Sequence, residues 1–180
     1  MKYPILLDGG ILFLKIYMIV KIYNHLIFPK LEKFIYKIKA RREGYGAFRI
    51  LGGNMAPTLK RGQLVRFLPL HEKKNIAGGE VVVIQSSKYG NDLVPLRIVA
   101  VAGEKIELVD SKLYVNSEVV FEYYLKEDFT GSEYSSSYGP SVVPPGFVFA
   151  LGDCRDVSKD SRYFGPFETN EVVGKVILPV

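Results

Sequence analysis

A chain of 180 residues, nearly half of them apolar, is long enough to bury a core of its own and is not composed like a disordered segment. A single cysteine, Cys154, excludes an internal disulfide framework, and two widely separated histidines, His25 and His71, offer no metal-ligand spacing. The formal charge of +5 is unevenly held: residues 1 to 46 carry nine Lys or Arg against Asp8, Glu32 and Glu43, while the rest carries fifteen basic and sixteen acidic side chains, so the body lacks the basic footprint of a nucleic-acid binder.

Residues 5 to 23, ILLDGGILFLKIYMIVKIY, are apolar enough to be a membrane-span candidate, yet they contain Asp8, Lys15 and Lys21. Eleven strongly apolar residues at about −0.3 to −0.6 kcal/mol each are set against three charged ones at about +2.5 to +3.5 kcal/mol each if central, which makes insertion marginal. Both lysines are able to snorkel to a headgroup layer. After Pro29 the period turns helical: Ile27, Leu31, Phe34, Ile35 and Ile38 fall on one stripe flanked by Lys30, Lys33, Lys37 and Arg41, the pattern of an interfacial helix on anionic lipid. Residues 1 to 45 are therefore expected to form a helical, membrane-associated segment. A span over residues 5 to 23 would keep the basic stretch behind it cytoplasmic.

Residues 46 to 180 read as one β domain. Seven short runs, GQLVRFLPL, GGEVVVIQ, LRIVAVAG, EKIELVD, KLYVN, GFVFALGD and VVGKVILPV, are separated by Gly, Pro, Asn or Asp, which predicts a mainly β, antiparallel fold with little helix. The polar stretch FTGSEYSSSYGP, 129 to 140, predicts an exposed loop.

Three ordered stretches carry a resemblance. LGGNMAPTLKRG, 51 to 62, resembles the nucleophile motif of the type I signal peptidases, commonly written GxSMxPTL. PLRIVAVAGEKIELVDSKLYVN, 95 to 116, is similar to their second signature, roughly KRVVGxPGDxIxxxxGxLYVN, and PGFVFALGDCRDVSKDSRYFG, 145 to 165, to their third, roughly PxGxYFVMGDNRxxSxDSRxxG. The resemblance covers about residues 47 to 178. It implies a β-rich fold with a Ser–Lys dyad, no cofactor, a membrane anchor, an extracytoplasmic domain and cleavage of leader sequences after small residues.

Carried over position by position, the resemblance places Asn54 where the nucleophilic serine belongs and Leu96 where the general-base lysine belongs. A serine hydroxyl needs a base, and a lysine serves when burial lowers its pKa. A carboxamide has no ionisable nucleophilic proton, and a leucine neither accepts a proton nor donates a hydrogen bond. Hydrolysis is therefore not expected. Thr58 with Lys60, or Ser86 and Ser87 with Lys88, are poor substitutes because they fall outside the motif register, and Cys154, at the place of the motif's Asn, reads as a packed thiol. Gln63 replaces an Asp of the first motif at the expense of a turn or surface hydrogen bond.

The supporting positions are retained. The resemblance implies that Asp160 and Arg162 form a structural ion pair, that Arg97 and Asp153 supply other supporting charges, and that Ser158 is the hydroxyl that positions the catalytic lysine. With Leu96 in that lysine's place, Ser158 is expected to be solvated or to cap a turn. Met55, Pro57 and Leu59 are expected at the rim of a peptide groove, or as packing.

These residues together predict a membrane-associated, non-hydrolytic protein that captures a signal-peptide-like or other extended segment of an exported or membrane-bound polypeptide, with main-chain pairing and apolar pockets as the means. Membrane lipid is the second expected partner. The alternatives are an active signal peptidase working through an unrecognised residue set, and a non-catalytic subunit paired with an active homologue.

Overall fold

The computed structural model describes residues 44–70, 76–125 and 137–178, all within the unit Gly44–Val180. The expected N-terminal anchor and interfacial helix lie outside the described residues. Among the described residues no helix is long and apolar enough to cross a membrane.

The fold is mainly antiparallel β. A seven-stranded sheet has the order β1-β2-β11-β3-β4-β9-β10, formed by β1 (Gly46–Arg49), β2 (Leu64–Pro69), β3 (Val81–Gln85), β4 (Leu93–Val101), β9 (Phe147–Leu151), β10 (Phe167–Glu168) and β11 (Val172–Ile177). A four-stranded sheet, β7-β6-β5-β8, is made by β5 (Lys105–Val109), β6 (Lys112–Val115), β7 (Glu118–Val119) and β8 (Tyr138–Val142). One four-residue helix, α1 (Ser161–Phe164), joins β9 to β10. Six of the seven predicted runs contain a whole strand, and LRIVAVAG holds the later part of β4, which begins earlier at Leu93. Strand β8 takes residues 138 to 140 away from the predicted loop: Tyr138 pairs with Leu108 and packs on Phe149, so tertiary pairing overrides the local polarity.

Strand composition follows position in the sheet. β2 alternates, with Val65 and Phe67 inside and Arg66 and Leu68 outside, as a strand with one solvated face does. β3 and β4 are apolar on both faces because they stand in mid-sheet between two cores. On one face Val81 and Val83 join Ile50, Met55, Leu59, Val65, Phe67 and Val176. On the other, Val82, Ile84, Leu96 and Ile98 join Val148, Ala150, Phe167 and Val172. A third core, including Ala100, Ile106, Leu108, Phe149 and Leu151, spans β4, β9 and the smaller sheet.

Two register shifts make this possible. β11 gains a residue between Val172 and Gly174 against β3, so Val172 faces one core and Val176 the other despite their even spacing. β4 shifts between Ile98 and Ala100 against β9, which moves its later residues to the third core. Gly174 is required where it stands: a Cβ there would lie 2.1 Å from the Phe67 ring and 2.8 Å from the Leu68 carbonyl.

Candidate functional site

The site lies where the turn after β1, the middle of β4 and the turn after β9 meet. Residues 52 to 59 form a sequence of turns anchored by two wholly buried side chains, Met55 and Leu59, whose backbones are joined by Leu59 N–H donating to Met55 O at 2.8 Å. Both side chains are spent on the core and present no surface to a ligand. Pro57, between them, is exposed.

Asn54 is half-buried, and its Nδ2 donates to the carbonyl of Pro95 at 2.8 Å. Its own carbonyl accepts the N–H of Cys154 at 2.9 Å. The two positions that the resemblance assigns to the dyad are thus linked, from the Asn54 side chain to the backbone carbonyl that immediately precedes Leu96. Leu96 has no exposed surface and packs in the apolar cluster with Val82, Ile84 and Ile98. Arg97, the next residue, turns to the opposite face, as alternation requires.

The turn after β9, Gly152 to Asp160, is held by three buried ion pairs. Arg97 Nε donates to Asp153 Oδ1 at 2.8 Å and its Nη2 to Oδ2 at 2.6 Å. Its Nη1 reaches Gly79 O at 2.8 Å, and its guanidinium lies 3.8 Å from the centre of the Tyr124 ring. Burial pulls the Arg97 guanidinium down, but its bonds and charge interaction with Asp153 outweigh that and hold it above its ordinary value. Asp160, also without exposed surface, takes Arg162 in a two-pronged pair, Nε to Oδ1 and Nη2 to Oδ2, each at 2.9 Å. The same carboxylate accepts Gly152 N–H at 3.0 Å and caps α1 through Arg162 N–H at 3.1 Å.

The third pair is Arg155 with Glu122, and sequence reasoning did not single out either residue. Arg155 Nε donates to Gly152 O at 2.9 Å, its Nη2 to Glu122, and Arg162 Nη2 returns to Arg155 O at 2.8 Å. Tyr124 completes the group by donating to Glu122 Oε1 at 2.5 Å; burial, with the Glu122 charge beside it, pushes its phenol up. The available signal was the Arg inside GDCRD; Glu122 stands in VFEYYL, where nothing local marks it.

Ser158 corrects the expectation of a solvated or turn-capping hydroxyl. Its Oγ is buried and has no hydrogen-bond partner among the described residues. It is pressed against Gly152, where an added Cβ would meet Ser158 Oγ at 2.2 Å and Asn54 O at 2.5 Å, so the hydroxyl and the Asn54 backbone line one small space. It is the position from which the resemblance has a serine hold a lysine.

The other candidates are engaged elsewhere. Thr58 Oγ1 donates to Asp153 Oδ2 at 2.5 Å, and Gln63 Oε1 accepts Lys60 N–H at 2.9 Å, closing the turn. Ser86 Oγ accepts the backbone N–H of Lys88, whose ammonium instead donates to Pro166 O at 3.2 Å and sits over Phe167. That trio makes a capped turn.

The antiparallel β platform with its ion-paired turn is the setting in which the resemblance expects a Ser–Lys pair, and position 54 holds no serine and position 96 no lysine. The family model described as "Signal peptidase, peptidase S26" matches residues 36–180. The chain is 35% identical over 143 residues to signal peptidase IB of Staphylococcus aureus, covering 72% of this chain and 74% of that protein. Against signal peptidase I of Bacillus caldolyticus it is 34% identical over 145 residues, covering 73% and 77%. A crystal structure of a signal peptidase I from Enterococcus faecalis aligns with a TM-score of 0.49 at 27% identity, over 58% of this chain and 98% of that one. The chain belongs to the type I signal peptidase family.

Proposed function

We propose that this chain is a non-hydrolytic member of its family that holds an extended segment of an exported or membrane-bound polypeptide at a membrane, in an assembly or chaperone-like role. The observation that carries the reading is the occupation of both dyad positions by groups already satisfied: the Asn54 carboxamide is bonded to Pro95 O, and Leu96 is sealed in an apolar cluster. Neither generates an oxyanion or takes a proton. What supports retained binding is the preserved frame, since peptide capture at a sheet depends on main-chain groups and apolar surroundings rather than on a nucleophile. The family's peptide substrates and the positive charge concentrated in residues 1 to 46 support a membrane setting; the extracytoplasmic side for the β domain rests on the family resemblance alone, against the cytoplasmic side that the basic stretch behind a span over residues 5 to 23 would favour.

The test is to incubate the purified full chain in detergent with a labelled peptide made of an apolar run ending in Ala-Ser-Ala and a short polar tail. Saturable binding without cleavage is expected. Cleavage lost in Cys154→Ser or Ser158→Ala, or an acyl adduct trapped on any side chain, would establish the enzyme reading instead. Co-purification with a homologue carrying both serine and lysine, without peptide binding, would establish the subunit reading.

A further inference from the structure

Strand β4 has one edge that the sheet leaves without a strand partner over part of its length, with Leu93 and Val94 partly exposed and Pro95 buried. Its pairing with β3 runs from Val81↔Arg97 to Gln85↔Leu93, whereas its pairing with β9 stops at Arg97↔Leu151. In an antiparallel ladder the main-chain groups of alternate residues face opposite neighbours. Ile98 N–H bonds towards the β3 side, to Glu80 O at 2.9 Å. Leu96 and Val94 share that direction, so the main-chain groups of Pro95 and Leu93 face the side where β9 has already ended.

Pro95 contributes no N–H, which leaves its carbonyl as the group it offers along the open edge. That carbonyl is taken by Asn54 Nδ2 at 2.8 Å. An unpaired strand edge is otherwise a template for an extended chain, whose own N–H would approach this carbonyl in just this way. We propose that the Asn54 carboxamide is an internal stand-in for a peptide N–H, so that an extended polypeptide adds to β4 only by displacing it. This inference rests on the peptide-binding reading above and names how that binding is restrained.

The exchange is nearly balanced at this position, because one N–H donor replaces another. Asn54 is half-buried and hangs from a turn anchored by the buried Met55, while Pro95 is buried, so uncovering the Pro95 carbonyl requires the Asn54 side chain to move and the anchoring Met55 to stay. A net hydrogen bond of ordinary strength is the restraint, equivalent to about a two- to tenfold loss of peptide affinity.

The experiment compares the full chain with Asn54→Ala and with Asn54→Asp, which keeps the shape and charges the group so that it only accepts. Binding of the labelled Ala-Ser-Ala peptide is followed by fluorescence polarisation. Both variants are expected to bind about two- to tenfold more tightly, and a peptide N-methylated at the residue facing Pro95 is expected to lose that advantage. In the free protein the Asn54 side-chain amide protons, assigned by their loss in Asn54→Ala, are expected to exchange slowly and to be released by peptide. Equal or weaker binding by both variants overturns the inference while leaving peptide capture standing; no binding by any of the three forms overturns both. Rapid exchange of the Asn54 amide in the free protein overturns the self-pairing itself.

Discussion

At the residue scale, Ser158 stands out as a buried hydroxyl with no hydrogen-bond partner among the described residues. A buried hydroxyl without a partner forgoes about 1–3 kcal/mol of hydration, which is why such groups are scarce in folded proteins. Replacing Ser158 with alanine removes the unpaired atom and leaves a space about one oxygen wide. Ser158→Ala is therefore expected to be neutral or to raise stability by about 1 kcal/mol in urea unfolding followed by circular dichroism. In a Leu96→Lys background the sign should reverse, because the hydroxyl would then have an amine to bond. Unfolding of the four forms of that cycle measures the coupling directly. A substantial loss of stability from Ser158→Ala in the unaltered chain would mean that the hydroxyl has a partner after all.

At the element scale, the turn between β9 and α1 is rigid because its backbone is gripped at successive atoms. Asp160 holds Gly152 N–H, Arg155 holds Gly152 O, Arg97 holds the Asp153 side chain, and Asn54 O holds Cys154 N–H. Removing one partner of a buried pair strands the other, at about 3–5 kcal/mol. Asp160→Ala, which takes the buried carboxylate from Arg162, the acceptor from Gly152 N–H and the cap from α1, is expected to fall in that range. Glu80→Ala, which breaks a pair with Lys175 in which both side chains remain partly exposed, should cost about 0–1 kcal/mol. Thermal or urea unfolding of the two variants separates them; equal costs would show that the turn is not clamped. Seven strands were legible because apolar runs bounded by turn residues suffice to mark them; β1, β7 and β10, short strands outside those runs, were not. Nor was β8, since Tyr138, Gly139 and Pro140 read as part of an exposed loop until Phe149 and Leu108 supply the partners of Tyr138. The register shifts in β4 and β11 were equally invisible, as a bulge is set by which core each half of a strand must face.

At the scale of the whole molecule, membership of the family was legible because spacing between short signatures survives substitution. Glu122 was not legible, because its partner Arg155 lies 33 residues away and only folding brings the two together. The ion-paired frame thus rests on contacts dispersed over the chain, and none of its three buried pairs passes through the side chains of Asn54 or Leu96, which bond Pro95 O and pack in the apolar cluster respectively. Restoring both groups, Asn54→Ser with Leu96→Lys, is therefore expected to confer cleavage of the Ala-Ser-Ala peptide, while each single variant stays inactive for want of its partner. A lysine at 96 would run its aliphatic stem among Val82, Ile84 and Ile98, and burial there disfavours its charged form, which lowers its pKa. A general base works only when neutral, so cleavage by the double variant should rise with pH through that lowered pKa and level off above it. Product mass spectrometry across a pH series reads both the activity and its direction. A double variant that melts with the unaltered chain's cooperativity and binds the peptide, yet yields no product at any pH, would show that the platform no longer aligns positions 54 and 96 for proton transfer.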